Sequence, residues 1–156
     1  MKHKILFVCL GNICRSPAAE AVMKKLIEER GLSANFEIDS AGILSVHQGE
    51  KADSRMRQHA ARRRYDVTSI SRPVKTDDFD RFDLIIGMDD SNIDDLNDRA
   101  LTAEHKSKIR QMTEYTQKYN HTHIPDPYYG GAAGFELVLD LLEDACNGLL
   151  ESFYKS

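Results

Sequence analysis

The sequence predicts one α/β domain built on a parallel sheet, and three observations carry this prediction. Segments typical of strands and of helices alternate along all 156 residues, without an internal repeat or a low-complexity linker. "KILFVC" (4–9) is apolar after its first residue, and "FDLIIGMD" (82–89) has an apolar centre, both typical of strands buried on two faces. The length suits a single domain. We therefore expect a doubly wound domain over 1–156, with a four-stranded parallel sheet and helices on both faces, as in flavodoxin-like and Rossmann-like folds.

The other elements follow in chain order from similar patterns. The first helix is predicted to open at Ser16-Pro17, a pair typical of an N-cap followed by proline at the first helical position, and to stop near Gly31. "NFEIDSAG" (35–42) predicts a second strand, and the basic segment 54–64 predicts a helix. Beyond these we expect a polar helix from about Ser91, a short strand near 109–112 and a final helix with an apolar stripe from Phe135 to Phe153.

Net charge and the distribution of apolar residues indicate which kinds of binding partner to expect. The net charge is −4, so the chain as a whole is not attracted electrostatically to nucleic acid. Basic residues do cluster in "SRMRQHAARRRYD" (54–66), which we interpret as a solvated helix face; the alternative is a docking patch for an acidic partner. No apolar run reaches the ~18–20 residues of a membrane span, and "MKHKILFVC" is interpreted as a strand rather than a signal peptide.

The cysteines indicate a reducing compartment. Cys9, Cys14 and Cys146 form neither a disulfide framework nor a zinc quartet. We therefore expect a cytoplasmic protein without a metal or other cofactor. We expect no nucleic-acid or membrane partner, and a monomer or weak dimer.

The segment "CLGNICRS" (9–16), between the first strand and the first helix, has the properties of an anion-binding loop. The first turn of a helix presents unpaired N–H groups and partial positive charge, and a tight loop before it can curl further amides around tetrahedral oxygens. Gly11 and Asn12 are residue types that tolerate left-handed backbone angles. Arg15 adds a planar fork that can bind two phosphate oxygens.

The same surroundings suit Cys9 to nucleophilic chemistry. A helix N-terminus and nearby cations favour the thiolate over the thiol, and Ser16 could donate a further hydrogen bond to the sulfur. A thiolate facing a bound phosphorus is an arrangement for covalent phosphoryl transfer. The segment is not a nucleotide-binding P-loop, because the Gly-Lys-Ser/Thr sequence is missing. It is not a dinucleotide-binding loop either, because the G-x-G-x-x-G sequence is absent.

Four segments resemble the low-molecular-weight protein tyrosine phosphatases, in that family's order, over nearly the whole chain. They are "VCLGNICRSPAAEA" (8–21), "DSAG" (39–42), "FDLIIGMDDSN" (82–92) and "DPYYGG" (126–131). The resemblance implies hydrolysis of protein phosphotyrosine and of small aryl phosphates through a phosphocysteine. By this resemblance, Cys9 is the nucleophile, Arg15 binds the phosphate and Asp126 is the general acid. Asn12 organises the loop, Ser16 stabilises the thiolate and Asp89 supports the loop.

The resemblance also implies which residues surround the substrate. We expect Tyr128 and Tyr129 at the pocket mouth, with Leu10 and Ile13 around the rim. Val46 stands where the family usually carries tryptophan or tyrosine, with His47 beside it, which removes one pocket wall and affects substrate preference. In relatives with a cysteine at the position of Cys14, this residue and the nucleophile can form a reversible disulfide, and we expect the same here.

Three other functions are compatible with parts of this pattern. A thioredoxin-coupled arsenate reductase shares the fold, but needs an additional cysteine pair that is missing after "DLIIGMDD". Protein-arginine phosphatases within the family tend to carry threonine where this chain has Ile13, and a bulky apolar residue there favours a planar ring. A non-catalytic phosphate-binding module would be expected to lack one of Cys9, Arg15, Ser16 and Asp126, and all four are present.

Overall fold

One parallel sheet organises the chain in the computed structural model, which describes residues 2–128 and 130–154. Its strands are β1 (His3–Cys9), β2 (Phe36–Gly42), β3 (Leu84–Gly87) and β4 (Ile109–Gln111). They are hydrogen-bonded in the order β2-β1-β3-β4, and every pairing is parallel. The chain leaves β1 toward one neighbour and later returns on its other side, so the carboxyl end of β1 lies at the topological switch point where ligands bind in such sheets.

Helices cover both faces of this sheet. They are α1 (Arg15–Glu29), α2 (Ser54–Arg62), α3 (Asp78–Arg81), α4 (Asp90–Arg99), α5 (Ala103–Ser107) and α6 (Ala132–Ser152), with 3-10 turns at Ser33–Asn35 and Met112–Tyr115. The doubly wound fold with a four-stranded parallel sheet is thereby confirmed. None of the helices within the described ranges is long and apolar enough to cross a membrane.

Alternation along β1 divides the core between the two faces. Ile5 and Phe7 are fully buried in a cluster with residues of α1, α2 and α6. Leu6 and Val8 point the other way, as successive strand residues must, into a second cluster that includes Leu96 of α4. Because both faces of β1 are covered, this strand is continuously apolar, and its last residue, Cys9, is held rigidly.

Several predicted boundaries were wrong, and each has a local reason. The first helix begins at Arg15 with Cys14 as its N-cap, so Ser16 lies inside the helix rather than capping it. Its hydroxyl contacts Cys9 instead of a backbone amide of the first turn. The third strand is limited to Leu84–Gly87 because Asp89 accepts a hydrogen bond from Asn92 N and starts α4. The short helices α3 and α5 were not predicted.

The final helix, α6, packs very close to the turn that ends at Tyr115, and this is possible because residue 148 is a glycine. A Cβ on Gly148 would lie 1.9 Å from the carbonyl oxygen of Tyr115, where no atom fits. Asp144, one turn earlier on the same helix, accepts hydrogen bonds from the backbone N–H groups of Gln117, Lys118 and Tyr119. The helix therefore anchors the start of the segment that leads to Asp126.

Gly148→Ala is expected to destabilise the protein by about 3 kcal/mol or more, because α6 and the turn at Tyr115 must move apart to make room for the added Cβ. Gly134→Ala is the matched control in the same helix: its Cβ would meet nothing closer than Pro127 Cβ at 3.8 Å. That change should stabilise by up to about 1 kcal/mol through helix propensity. Urea unfolding of both variants measures the difference, and equal stabilities would contradict the close approach.

Candidate active site

A pocket of about 240 Å³ opens at the carboxyl end of β1, where the sequence placed the anion-binding loop. The loop supplies one side of the pocket through Cys9, Leu10, Gly11, Ile13, Cys14 and Arg15. The opposite side comes from two distant segments: Leu44, Val46 and His47 after β2, and Asp126 and Tyr128 before α6. The fold thus brings the predicted residues among these to one cavity, together with Leu44, which was not predicted.

Asn12 holds the loop in its curled shape. It has a φ of 56°, the left-handed region, and its side chain is buried. Gly11 does not use that region, so the expectation that both residues supply left-handed angles was wrong for Gly11. Glycine at 11 has a different use, because a Cβ there would come within 3.0 Å of the His47 ring.

The amide of Asn12 has an orientation that the backbone dictates. Its Oδ1 accepts a hydrogen bond from the backbone N–H of Arg72, 3.0 Å away, and a backbone N–H can only donate. The NH2 group therefore faces the two serines, donating to Ser16 Oγ at 2.8 Å and to Ser40 Oγ at 3.0 Å. Ser40 in turn donates to the buried carboxylate of Glu20 at 2.7 Å.

This orientation leaves the hydroxyl proton of Ser16 available for Cys9. The Oγ of Ser16 accepts from Asn12 and lies 3.1 Å from Cys9 Sγ, with a longer 3.4 Å contact to the carbonyl of Ala41. Both side chains are buried. The network thus places a hydroxyl group against the sulfur of Cys9.

Arg15 is fixed on one side and open on the other. Its Nη1 donates to Asp89 Oδ2 at 2.6 Å and to the carbonyl of Ile124 at 2.9 Å, which uses both protons on that nitrogen. Among the described residues Nε and Nη2 make no hydrogen bond, and Nη2 lies 3.8 Å from Asp126 Oδ2. Half of the guanidinium is thus free to bind an anion in the pocket.

Asp126 lies across the pocket from the loop. Its side chain is 42% exposed, and its Oδ1 accepts the backbone N–H of Tyr128 at 3.1 Å. That bond leaves Oδ2 as the oxygen near Arg15 and the cavity. A carboxyl in this position can exchange a proton with a group bound above Cys9.

The outer wall was expected to carry Tyr128 and Tyr129 and to lack a wall at Val46. Val46 is 69% exposed and closes little of the pocket. The His47 ring, 3.2 Å from Glu50 Oε2 at its Nδ1, lies with its centroid 6.4 Å from that of Tyr128. These two rings both line the pocket and are tilted by 46° to each other. Tyr129 lies outside the described residues.

Cys14, the second cysteine of the loop, lies in surroundings that disfavour its thiolate. Burial raises the pKa of the Cys14 thiol far above its usual range, and the nearby carboxylate of Asp53 adds to the effect. Cys14 also lacks the serine contact that Cys9 has. Cys14 is therefore held as a neutral thiol near Cys9.

Five residues that build the site were not singled out from the sequence: Glu20, Ser40, Asp53, Arg55 and Arg72. Ser40 and Arg72 contact Asn12 from 28 and 60 positions away. No local motif marks such contacts. The only available signals were "DSAG", which contains Ser40, and the Asp-x-Arg spacing at 53–55, which is typical of a capped and charged helix start. Over the described ranges, no three histidine, cysteine or acidic side chains are grouped to hold a metal ion.

Comparisons with known proteins agree with this geometry. The family model described as low molecular weight phosphotyrosine protein phosphatase matches residues 4–156. A putative low molecular weight protein-tyrosine-phosphatase of Synechocystis is 47% identical over 152 residues, covering 97% of each chain. The low molecular weight phosphotyrosine protein phosphatase of Mus musculus is 39% identical, over 96% of this chain and 95% of its own. A crystal structure of protein tyrosine phosphatase from Entamoeba histolytica superposes with a TM-score of 0.96 at 51% identity, covering 98% and 97% of the two chains.

Gly42→Ala is expected to weaken anion binding without removing any functional group. The added Cβ would lie 3.0 Å from Asn12 Cβ, 3.1 Å from Asn12 N and 3.1 Å from Gly11 C, so the loop must shift. We expect inorganic phosphate to bind about 10-fold more weakly, since small displacements of positioned groups are costly. Isothermal titration with phosphate measures this, alongside a melting curve. Unchanged affinity in a folded variant would argue against a loop held by this contact.

Iodoacetate at neutral pH is expected to alkylate Cys9 and to leave Cys14 unmodified, although both line the pocket. A thiol whose pKa is raised stays protonated at neutral pH and is a poor nucleophile. Peptide mass spectrometry should find one adduct in the loop. Cys14→Ser should keep this labelling and Cys9→Ser should lose it. An adduct on Cys14 in the folded wild type would contradict the assignment.

Proposed function

This chain belongs to the low molecular weight phosphotyrosine protein phosphatase family and hydrolyses phosphotyrosine in proteins, and we propose that it does so through a phosphocysteine formed on Cys9. The observation that carries the mechanism is the 3.1 Å contact between Cys9 Sγ and Ser16 Oγ in the loop that lines the pocket. Arg15 and Asp126 face the same cavity. Nucleophile, anion clamp and proton donor thus meet at one point.

In the first step the thiolate of Cys9 attacks phosphorus in line with the bond to the phenolic oxygen. The free Nε and Nη2 edge of Arg15 and the loop amides bind the equatorial oxygens, where charge is carried in the transition state. Asp126 gives its Oδ2 proton to the departing oxygen. This proton is needed because the phenol of tyrosine has a pKa of about 10 and its anion leaves poorly.

In the second step Asp126, now a carboxylate, removes a proton from a water that attacks the phosphocysteine. The sulfur–phosphorus bond breaks, inorganic phosphate is released and the Cys9 thiolate returns, stabilised again by Ser16. The same aspartate therefore serves as acid and then as base. Cys14, held as a thiol, does not compete for the phosphoryl group.

The shape of the pocket supports an aryl phosphate as substrate. Ile13 is an apolar side chain at the pocket wall, and the rings of His47 and Tyr128 lie beside the pocket, tilted by 46° to each other. A flat substrate ring can pack against such apolar and aromatic surfaces. An arginine phosphate would place a polar guanidino group against Ile13, where it would lack hydrogen-bond partners.

The remaining features of the proposal are a single domain over 1–156, catalysis without a metal, a cytoplasmic location and a monomer or weak dimer. The guanidinium of Arg15 and the loop amides supply the positive field that a metal would otherwise provide. The three cysteines are free and buried, which fits a reducing compartment.

Hydrolysis of para-nitrophenyl phosphate without added metal tests the mechanism. Wild type should turn over at mildly acidic pH. Cys9→Ser should be inactive because the covalent intermediate cannot form, and Asp126→Ala should lose about 100-fold because the leaving group is not protonated. A trapped phosphoenzyme, detected by mass spectrometry after acid quench, identifies the intermediate. Turnover by Cys9→Ser, or no turnover by folded wild type, would contradict the proposal.

A further inference from the structure

Arg55, in the first turn of α2, touches the segment that carries the general acid. Its Nη2 donates to the backbone carbonyl of Tyr128 at 2.9 Å. Its guanidinium also lies over the rings of Tyr128 and Phe135, with 5.4 Å and 5.0 Å to the ring centroids, a cation–π arrangement. This arginine therefore holds the backbone two residues after Asp126.

The other side of Arg55 is tied to the phosphate-binding loop through Asp53. The guanidinium forms a two-pronged contact with that carboxylate, Nε to Oδ1 at 3.2 Å and Nη2 to Oδ2 at 3.0 Å. Asp53 also caps α2 by accepting from Arg55 N and Met56 N, and its own N–H donates to the carbonyl of Ile13 at 2.8 Å. A continuous chain of hydrogen bonds thus runs from the loop to the carbonyl of Tyr128.

Asp126 depends on the backbone that Arg55 holds. Within the described part of the chain, its carboxylate forms one hydrogen bond, from the N–H of Tyr128, and one ion pair, with Arg15 at 3.8 Å. The Tyr128 bond selects Oδ1 as the acceptor and leaves Oδ2 toward the pocket. A shift of Tyr128 would therefore move the acid relative to the phosphate while leaving the phosphate-binding loop in place.

We propose that Arg55 is a positioning residue for the general acid: through Asp53 and the Tyr128 carbonyl it fixes Asp126 Oδ2 at the distance needed to protonate the leaving oxygen. This inference rests on the proposed function, since it specifies how the acid of that mechanism is held. Arg55 is 44% exposed and outside the pocket lining, so it does not touch the transferred phosphoryl group.

The dependence on the leaving group distinguishes a positioned acid from general damage. A poor leaving group needs the proton from Asp126, whereas a very good one departs without it. We therefore expect Arg55→Gln to lower kcat/KM for phenyl phosphate by about 10-fold and to change kcat/KM for 2,4-dinitrophenyl phosphate by less than about 2-fold. Because the ratio of the two values comes from one preparation, a fraction of unfolded protein cancels.

Three variants complete the measurement. Asp126→Asn should show the largest ratio between the two substrates, as the reference for a missing acid. Arg55→Lys should fall between wild type and Arg55→Gln, because an ammonium cannot form the two-pronged contact and reach the carbonyl with the same geometry. Arg62→Gln removes a positive charge from an exposed position on the same helix and should behave as wild type.

The outcomes separate this inference from the function on which it rests. A selective loss on phenyl phosphate by Arg55→Gln supports the inference. An equal loss of kcat/KM on both substrates by Arg55→Gln, or no loss on either, would overturn the inference. The proposed function would still stand in that case, provided that wild type is active and Asp126→Asn shows the substrate dependence of an enzyme that lacks its general acid. Failure of wild type to hydrolyse either substrate would instead reject the proposed function.

Discussion

The site depends first on one constraint, the direction in which the Asn12 amide hydrogen-bonds. The backbone N–H of Arg72 can only donate, so it fixes the oxygen of that amide and, with it, the nitrogen. Ser16 then accepts a hydrogen bond from Asn12, and its own hydroxyl proton can be donated to Cys9 Sγ at 3.1 Å or to the carbonyl of Ala41 at 3.4 Å. Without this orientation the serine hydroxyl could point at Asn12 instead, and the sulfur would lose its donor. One backbone group thus sets the direction of the hydrogen bonds that lead to Ser16 and Cys9.

Fixed hydrogen bonds also determine the orientation of Arg15 on the positively charged side of the pocket. Asp89 and the carbonyl of Ile124 occupy Nη1 of Arg15, so the guanidinium cannot rotate, and its remaining donors must face the cavity. Behind the loop, the Arg72 side chain binds Asp39 and Asp78 at 3.0 Å, which holds the segment that orients Asn12. Preorganised donors need little reorganisation when charge develops in the transition state, and this is the main benefit of such rigidity.

The limits of prediction from sequence follow from the range of these contacts. The strand ending at Cys9, the loop and Arg15 are local, and hydrophobic pattern with anion-binding chemistry was sufficient to predict them. Asp126 is one of many aspartates and was identified only through resemblance. Arg55 and Arg72 were missed because their contacts join segments about 60 to 70 positions apart. The N-cap prediction at Ser16 was wrong for a different, local reason: the helix begins one residue before it, at Arg15, and the Ser16 hydroxyl contacts Cys9 in the same loop.

Many contacts that assemble the chemistry are made by backbone groups: the N–H of Arg72, the carbonyls of Ile13, Ile124 and Tyr128, and the N–H of Tyr128. Backbone contacts survive replacement of the side chains around them. The wall residues, by contrast, contribute only their side chains, as exposed Val46 does. Changes at the rim can therefore alter which phosphorylated protein fits the pocket while the thiolate, the clamp and the acid keep their geometry. In this architecture, substrate choice and catalysis can vary independently, because different parts of the chain carry them.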